Sequence, residues 1–469
     1  MERRLSLLLV VLLLGAPCAA DAGRGSGAQP AGEGEVHIYL QPLPFEAEAV
    51  TFSIGAVSAA DGQGAERRLE VALTTVAHPE ARRQRLLGSG RLPEGQYTGL
   101  TIAVRAASLR RDGVAAALLV PDEPVRVDVP FLVTRGRAVV LWLEFRPADS
   151  LAPGTVDFAP VFTAYQAPRP MLSLAGFVSS STSNAVTVFD KKRRQVAAVV
   201  PTGSRPAGMA LDQRAGRLYV ACPDEDEILA IDVVSAEIVE RTRLFPGDGP
   251  REVALTPDGR TLVSVNPGSN SVSVFDASPL ARLDRVGVDD GPGALAIDPA
   301  GQRAFVFNAL SGSVSVVDLA QRRVVTTISM DSAPLRGQFS ARGDRLFVIH
   351  ERSPYLTVVD PVSLAVVRRE RLRTSGSAIK VDTRRGWISI GSPGSATVEF
   401  YEPHTLLPVD AMTVEGGVAH MTIDAEDNSM YLVSPATGRL LVASVADRRV
   451  ATEIDAGKGP SWVVVMGEK

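Results

Sequence analysis

Val272-Ser-Val-Phe-Asp276 is one of seven related segments, each a short apolar run that ends at an acidic or polar residue. From one segment to the next, the last residues lie 42 or 44 positions apart. A period of roughly 40–50 residues with four strands per unit is typical of β-propellers, because only neighbouring units can cover the apolar faces of each one. The repeat predicts a seven-bladed propeller over residues 172–469. The other six segments end at Asp190, Asp232, Asp318, Asp360, Glu402 and Ser444.

The two ends of the repeat array fit a closed ring. The first copy begins at Gly176 without an innermost strand, and Pro460-Ser-Trp-Val-Val-Val-Met466 has the pattern of an innermost strand without the rest of a blade. Pairing of these two segments removes the open edges that an unclosed ring would leave. The sequence therefore predicts that the C-terminal strand completes blade 1.

Within the repeats, the second strand of each unit carries a recognisable motif. It reads Tyr219-Val-Ala-Cys222, Val263-Ser-Val-Asn266 and Phe305-Val-Phe-Asn308, and Ala254-Leu-Thr-Pro-Asp-Gly259 supplies the flanking turn. In these features the repeats resemble the YVTN family of seven-bladed propellers, found in surface-layer-type and exported proteins. The resemblance implies the fold only, since that fold hosts lactonases, dehydrogenase subunits and pure binding proteins.

Residues 35–165 predict a second, separate all-β domain. Segments such as Val36-His-Ile-Tyr-Leu40 alternate in polarity, turn signals such as Pro93-Glu-Gly95 separate them, and no convincing helix intervenes, which favours a β-sandwich. Through Tyr97-Thr-Gly-Leu100 and Leu141-Trp-Leu-Glu-Phe145 the domain resembles a bacterial extracytoplasmic family of unknown function, similar to carbohydrate-binding modules. The alternation fits Trp142 equally well to a core and to an exposed position.

The N-terminus predicts an export signal. Basic Met1-Glu-Arg-Arg4 precedes an apolar run from Leu5 to Gly15, and small residues follow, which is the pattern of a secretory signal peptide over residues 1–22. The apolar run is too short to span a membrane. A lipoprotein signal with Cys18 as the lipidated residue is the less favoured alternative, because the residues before Cys18 do not match a lipobox.

Two linkers complete the predicted organisation. Residues 23–34 are rich in glycine and lack an apolar period, and residues 166–171 contain two prolines that interrupt the strand pattern. We therefore expect an extracytoplasmic protein, in the periplasm or at the cell surface, with no transmembrane segment after signal cleavage.

Composition and missing motifs narrow the function classes. Lysine and arginine number 49 against 53 acidic residues, a formal charge of −4, which does not suit a nucleic-acid binder. Two cysteines cannot supply a disulfide framework, a Cys-rich zinc site or an iron–sulfur cluster. No P-loop, dinucleotide fingerprint, nucleophile elbow or histidine pair with metal-ligand spacing occurs. The sequence therefore predicts no catalytic residue, metal or cofactor.

The candidate ligand-binding residues are those that depart from the repeat on one face of the ring. Most of them lie within two residues of the proline that precedes each innermost strand, and His350 replaces an Asn that ends the second strand. Loops on one propeller face surround the central channel, so these side chains can converge at the channel mouth. The alternative is a set of solvated loop charges and turn residues. The set comprises Arg205, Arg251, Glu252, Arg336, His350, His420 and Trp462.

These observations favour an exported, non-catalytic binding protein that acts as a monomer. Its propeller face is the platform for a protein or glycan of the cell envelope. One alternative is a lactonase-like or other hydrolytic propeller with His350, His420 and Glu252 as its reactive groups. Another is an accessory subunit of a periplasmic redox enzyme without a cofactor of its own.

Overall fold

The computed structural model describes residues 32–78, 81–111, 113–151, 154–330, 332–351 and 353–468. The predicted signal peptide, Cys18 and most of the first linker lie outside these residues. The described chain is almost entirely β-structure, with one short α-helix, Pro147–Ser150. Within these ranges, no helix has the length and apolarity of a membrane span.

The N-terminal domain is all-β, as predicted. Its ten strands are linked by hydrogen bonds into one sheet, in which β1 pairs with β5 on one side and, in parallel, with β9 on the other. The sheet curls around a single apolar core, so that the β-layers on both sides of this core belong to one continuous sheet. The strands are β1 (Glu33–Leu40), β2 (Val50–Asp61), β3 (Glu66–Val71), β4 (Thr75–Val76), β5 (Arg85–Pro93), β6 (Gly95–Arg111), β7 (Val114–Leu118), β8 (Val125–Val133), β9 (Ala138–Phe145) and β10 (Phe162–Gln166).

The repeat region forms seven four-stranded antiparallel blades, which confirms the predicted propeller. Apolar side chains between adjacent blades form its core. Blade 1 holds β11 (Ala175–Ser180), β12 (Ala185–Asp190), β13 (Gln195–Pro201) and the last strand of the chain; blade 2 holds β14 (Met209–Asp212), β15 (Arg217–Cys222), β16 (Glu227–Asp232) and β17 (Glu237–Arg243); blade 3 holds β18 (Glu252–Leu255), β19 (Thr261–Asn266), β20 (Ser271–Asp276) and β21 (Ala281–Gly287); blade 4 holds β22 (Pro292–Ile297), β23 (Arg303–Asn308), β24 (Ser313–Asp318) and β25 (Arg323–Ser329).

The remaining blades follow the same order, with the innermost strand first. Blade 5 holds β26 (Pro334–Phe339), β27 (Leu346–His350), β28 (Ser353–Asp360) and β29 (Ala365–Arg371); blade 6 holds β30 (Ala378–Val381), β31 (Ile388–Gly391), β32 (Thr397–Tyr401) and β33 (Pro408–Thr413); blade 7 holds β34 (His420–Asp424), β35 (Ser429–Ser434), β36 (Arg439–Ser444) and β37 (Arg449–Ile454); β38 (Pro460–Val465) is the innermost strand of blade 1.

Strand β38 closes the ring by pairing antiparallel with β11. Just beyond it, the Met466 carbonyl and the Asp424 carboxylate both contact the ammonium of Lys191, which is itself buried. The tail reaches blade 2 as well, since the Gly467 N–H donates to Gln213 Oε1 over 2.9 Å. Blades 7, 1 and 2 are thus joined through the last residues of the described chain.

The two domains meet at a buried interface, here called the interdomain interface. Trp142 is 4% exposed and packs beside Tyr39 against the outer strand of blade 1. Its indole N–H donates to the Val196 carbonyl over 2.8 Å, and the Val196 N–H donates to Gln84 Oε1 over 2.7 Å. These bonds cover part of the free edge of β13, so Trp142 belongs to an interdomain core.

Candidate functional site

The channel is lined by one equivalent position from each innermost strand, two residues after the repeat proline. Blades 2, 4 and 6 carry Gly208, Ala294 and Ala378 there, and the other four blades carry large polar or aromatic side chains. A Cβ at Gly208 would lie 2.7 Å from the Glu252 Cα, so the small residue makes room for its neighbour. The four large side chains, here called the mouth cluster, are Glu252, Arg336, His420 and Trp462.

An ion pair between blades that are not neighbours places this cluster in the channel. Arg336 Nη1 of blade 5 donates to Glu252 Oε1 of blade 3 over 3.2 Å, and Nη2 lies 3.0 Å from Oε2. The second contact lacks hydrogen-bond geometry, so the buried Oε2 atom has no donor among the described residues. Burial raises the pKa of Glu252, although the charges of Arg336 and Arg251 oppose that shift.

Two aromatic rings complete the mouth cluster. The Arg336 guanidinium carbon lies 4.5 Å from the centre of the Trp462 ring, a cation–π arrangement. Trp462 also stacks on the imidazole of His420, with ring centres 3.8 Å apart and an angle of 21°. Arg336 therefore contacts blade 1 as well as blade 3, and the cluster joins four blades across the channel.

His420 is held neutral in this environment. Its Nδ1 atom accepts the Val463 N–H over 3.3 Å, so the ring proton of the neutral form lies on Nε2. Burial keeps the pKa of His420 well below its usual value, and the charges of Arg336 and Lys380 lower it further. At neutral pH this imidazole is a hydrogen-bond donor through Nε2, with Nδ1 already engaged.

Lys380 is a channel residue that the sequence analysis missed. It lies in the innermost strand of blade 6 and is only 8% exposed, and its ammonium is 2.5 Å from Glu468 Oε1 in the C-terminal tail. The equivalent positions of the other blades carry uncharged residues. A search for departures from the repeat four residues after the proline position would have found it.

His350 is one of the predicted residues that lie outside the mouth cluster. His350 is buried at the end of β27, where its Nε2 lies 2.8 Å from Thr357 Oγ1 and its Nδ1 lies 3.2 Å from the Ser332 carbonyl. Asn266 and Asn308 make the corresponding bond to a serine seven residues later in their own blades. His350 therefore takes the place of a turn residue within its blade.

The two remaining arginines differ in their relation to the cluster. Arg205 is exposed, and its nearest carboxylate is that of Asp224, at 3.5 Å. Arg251 is also exposed, but it precedes Glu252 directly and its charge acts on that carboxyl group. The structure thus brings together Arg251, Glu252, Arg336, His420 and Trp462 and leaves Arg205 and His350 apart.

The cluster leaves hydrogen-bonding capacity unused. Glu252 Oε2 has no hydrogen bond, and outside the cluster the buried hydroxyls of Ser377 and Thr422, beside and within the innermost strands of blades 6 and 7, also have no partner among the described residues. In the same residues, no group of three or more His, Cys, Asp or Glu side chains is placed to hold a metal ion. The site can offer a guanidinium, an imidazole N–H and an aromatic wall to a ligand.

Comparisons with known proteins support the fold. Residues 176–383 match the model of the YNCE-like beta-propeller family. A search of curated protein sequences gave no match. Among solved structures, hydrazine synthase of Kuenenia stuttgartiensis is similar over 59% of this chain and 94% of that chain, at 18% identity and a TM-score of 0.53.

Two further structures have comparable scores. Dihydro-heme d1 dehydrogenase NirN in complex with DHE is similar over 63% of this chain and 66% of that chain, at 16% identity and a TM-score of 0.51. A functionally unknown protein from Desulfotomaculum acetoxidans is similar over 61% of this chain and 98% of that chain, at 12% identity and a TM-score of 0.55. At these identities the likeness shows the propeller fold alone.

Proposed function

We propose that this protein is an extracytoplasmic binding protein without catalytic activity, and that it holds its ligand at the channel mouth. The observation that carries the proposal is the convergence of Glu252, Arg336, His420 and Trp462 from four blades at one level of the channel. Closure of the ring does not require contacts between blades 3 and 5 or blades 5 and 1. A ligand site gives a reason for them.

The hydrogen bonds and the ion pair that the candidate reactive groups already make favour a binding function over a hydrolytic one. A general base must have a free lone pair directed at the substrate. Nδ1 of His420 already accepts a backbone N–H, and both ring nitrogens of His350 are used inside blade 5. Glu252, whose Oε2 atom has no hydrogen bond, is buried and paired with Arg336.

The chemistry of the mouth suits a carboxylate. Arg251 is exposed beside the mouth cluster, and the Arg336 side chain keeps 17% of its surface accessible. Guanidinium groups bind carboxylates through paired charge-assisted hydrogen bonds. The Trp462 ring adds an apolar wall next to them. An acidic glycan or a carboxylate-bearing protein of the cell envelope has the matching chemistry.

Thermal unfolding of the purified protein tests this proposal. We expect galacturonate or citrate to raise the melting temperature while galactose, which lacks a carboxylate, does not. A ligand at about 100 times its dissociation constant stabilises the folded state by about 2.7 kcal/mol. Arg251→Ala should abolish the shift, and Arg205→Ala, an exposed arginine outside the cluster, should preserve it. A shift that survives Arg251→Ala, or no shift with either carboxylate, rejects the mouth as a carboxylate site.

An accessory subunit of a redox enzyme is the second candidate. Two proteins with similar propellers, a hydrazine synthase and a dihydro-heme d1 dehydrogenase, favour this candidate. Affinity purification of the tagged protein from its own cell envelope separates the two candidates. Stoichiometric recovery of an oxidoreductase favours the subunit, whereas recovery of the protein alone favours the binding protein.

A further inference from the structure

A cleft of about 670 Å³ lies between the N-terminal domain and the outer strands of blades 1 and 2. We propose that this cleft binds an extended peptide segment that carries carboxylates and adds as a strand to the free edge of β13. The site shares no residue with the channel mouth, so the two proposals stand or fall separately. Residues 134–140, 197–201 and 235–241 form most of its lining.

The edge of β13 is only partly covered. The side chains of Gln84 and Trp142 bond the backbone of Val196, at the start of the strand. Residues 197–201 line the cleft instead, and β13 is the outermost strand of its sheet. The N-terminal domain thus covers one end of the edge and leaves the other facing the cavity.

The pairing register shows which backbone groups face the cleft. The Thr202 N–H donates to the Asn184 carbonyl over 3.1 Å, which makes Ala185 and Pro201 a non-hydrogen-bonded pair. Such pairs alternate along an antiparallel ladder, so Val199, opposite Thr187, points its N–H and carbonyl away from β12. Neither group has a partner among the described residues. This is the donor–acceptor pair that an added strand bonds.

The charges in the cleft favour an acidic occupant. Four arginines line it against two glutamates, and both glutamates already have partners: Glu237 pairs with Arg137 at 2.6 Å, and Glu240 pairs with an arginine outside the lining. Arg135 is exposed and makes no ion pair within the described residues, and Arg169 bonds only the Val234 carbonyl, at 3.3 Å. Uncompensated positive charge therefore borders the free edge.

The dimensions of the cleft suit a short strand. Five residues of β13 span about 17 Å at roughly 3.3 Å per residue. The partly buried side chains of Ala198 and Ile238 in the lining offer apolar contacts. A strand in the cleft would place alternate side chains toward this apolar surface and toward the arginines, so a pattern of alternating valine and glutamate matches both.

Fluorescence anisotropy with the whole protein tests the proposal. The probe is a fluorescein-labelled Val-Glu-Val-Glu-Val peptide, and the matched peptides carry lysine in place of glutamate or N-methyl groups at alternate residues. We expect each change to weaken binding at least about tenfold, because one removes the charge match and the other removes backbone donors. Saturation with the acidic peptide should also slow hydrogen exchange at the Val199 amide.

Variants of the protein test the role of Arg135 and Arg169 in the cleft. Arg135→Ala combined with Arg169→Ala should weaken binding about tenfold, and Arg205→Ala, an exposed arginine outside the cleft, should leave it within about twofold. Neither cleft arginine holds a buried group, so both variants should fold. No binding at about 1 mM acidic peptide, equal binding of the N-methylated peptide, or unchanged exchange at Val199 would each overturn the proposal.

Discussion

The two ends of the central channel hold their buried charges in different ways. At the end where the chain closes, the Lys191 ammonium contacts both the Asp424 carboxylate and the Met466 carbonyl. The other Asp424 oxygen accepts the Glu426 N–H over 2.9 Å, so both oxygens of this carboxylate have a hydrogen-bond donor. At the mouth, Glu252 has one oxygen without a hydrogen bond.

The difference indicates different roles. Lys191 and Asp424 join blades 1 and 7, which the ring must connect in order to close. Glu252 and Arg336 join blades 3 and 5, which are not neighbours. We therefore expect the closing end to account for stability and the mouth to account for binding. Truncation and substitution at each end test that division.

Removal of residues 460–469 should unfold the propeller. The deletion takes away the innermost strand of blade 1 and the contacts of the tail with Lys191, Gln213 and Lys380. The loss should exceed the whole stability of a typical domain, about 5–15 kcal/mol. Calorimetry should then show no cooperative transition for the propeller. A truncated chain that melts cooperatively within a few degrees of the intact protein would contradict closure by β38.

Asp424→Asn should destabilise the fold by about 3–5 kcal/mol, because it leaves the Lys191 ammonium buried without a counter-charge. Urea unfolding measures the change. Lys191→Met combined with Asp424→Leu should recover most of the loss, since an apolar pair of similar size needs no desolvation of ions. Glu252→Gln at the mouth should cost less than about 1.5 kcal/mol, because the Arg336 side chain is 17% exposed and keeps its cation–π contact with Trp462. Equal losses at both ends would show that the mouth stabilises the fold as strongly as the closing end does.

The sequence predicted the propeller for a physical reason that does not apply to the interdomain interface. A blade buries its faces only against its neighbours, so a fixed period leads directly to a ring. The Trp142 indole and the Gln84 amide bond Val196 across more than fifty residues of chain, and no local pattern encodes that contact. Alternation could not distinguish an interdomain tryptophan from an exposed one.

The mouth was partly predictable because its members depart from the repeat at one equivalent position. The same rule also selected His350, which lies outside the mouth cluster and makes the bond that Asn266 makes in blade 3. It passed over Lys380, which departs from the repeat two residues further along the strand. Sequence position gives the level in the channel, and only side-chain contacts tell which departures meet.

The mouth should also make the stability of the fold depend on pH. The pKa of His420 is lowered by burial and then by the charges of Arg336 and Lys380. Below about pH 6.5 the unfolded chain binds a proton that folded His420 does not, so stability is full above that pH and falls as the pH decreases. The slope for one such group is about 1.4 kcal/mol per pH unit. Urea unfolding at pH 7.5, 6.0 and 5.0 measures it.

His420→Gln isolates this contribution. In the variant, the slope of the free energy of unfolding against pH should fall between pH 6.5 and 5 by the contribution of about one proton. The lowered pKa of His350 leaves a residual slope in the same direction. Glu252 acts in the opposite sense: its raised pKa adds stability that is lost as the pH rises through the carboxylate range. An unchanged slope in the variant would show that His420 titrates normally in the folded protein.

The smallest expected effect on stability is that of Arg251, and it makes the sharpest distinction between the two ends. Because its side chain is exposed, Arg251→Ala should change the free energy of unfolding by no more than about 0.5 kcal/mol. Arg251→Lys should change the free energy of unfolding equally little. It should keep only part of the thermal shift that a carboxylate causes in the intact protein, since an ammonium lacks the paired donors of a guanidinium. Thermal shifts of both variants with and without galacturonate measure the two quantities together. Substitution of a binding residue removes the ligand response and leaves the stability unchanged, whereas substitution of a structural residue such as Asp424 lowers the stability. An Arg251→Ala protein that melts far below the intact one would therefore show that Arg251 stabilises the fold.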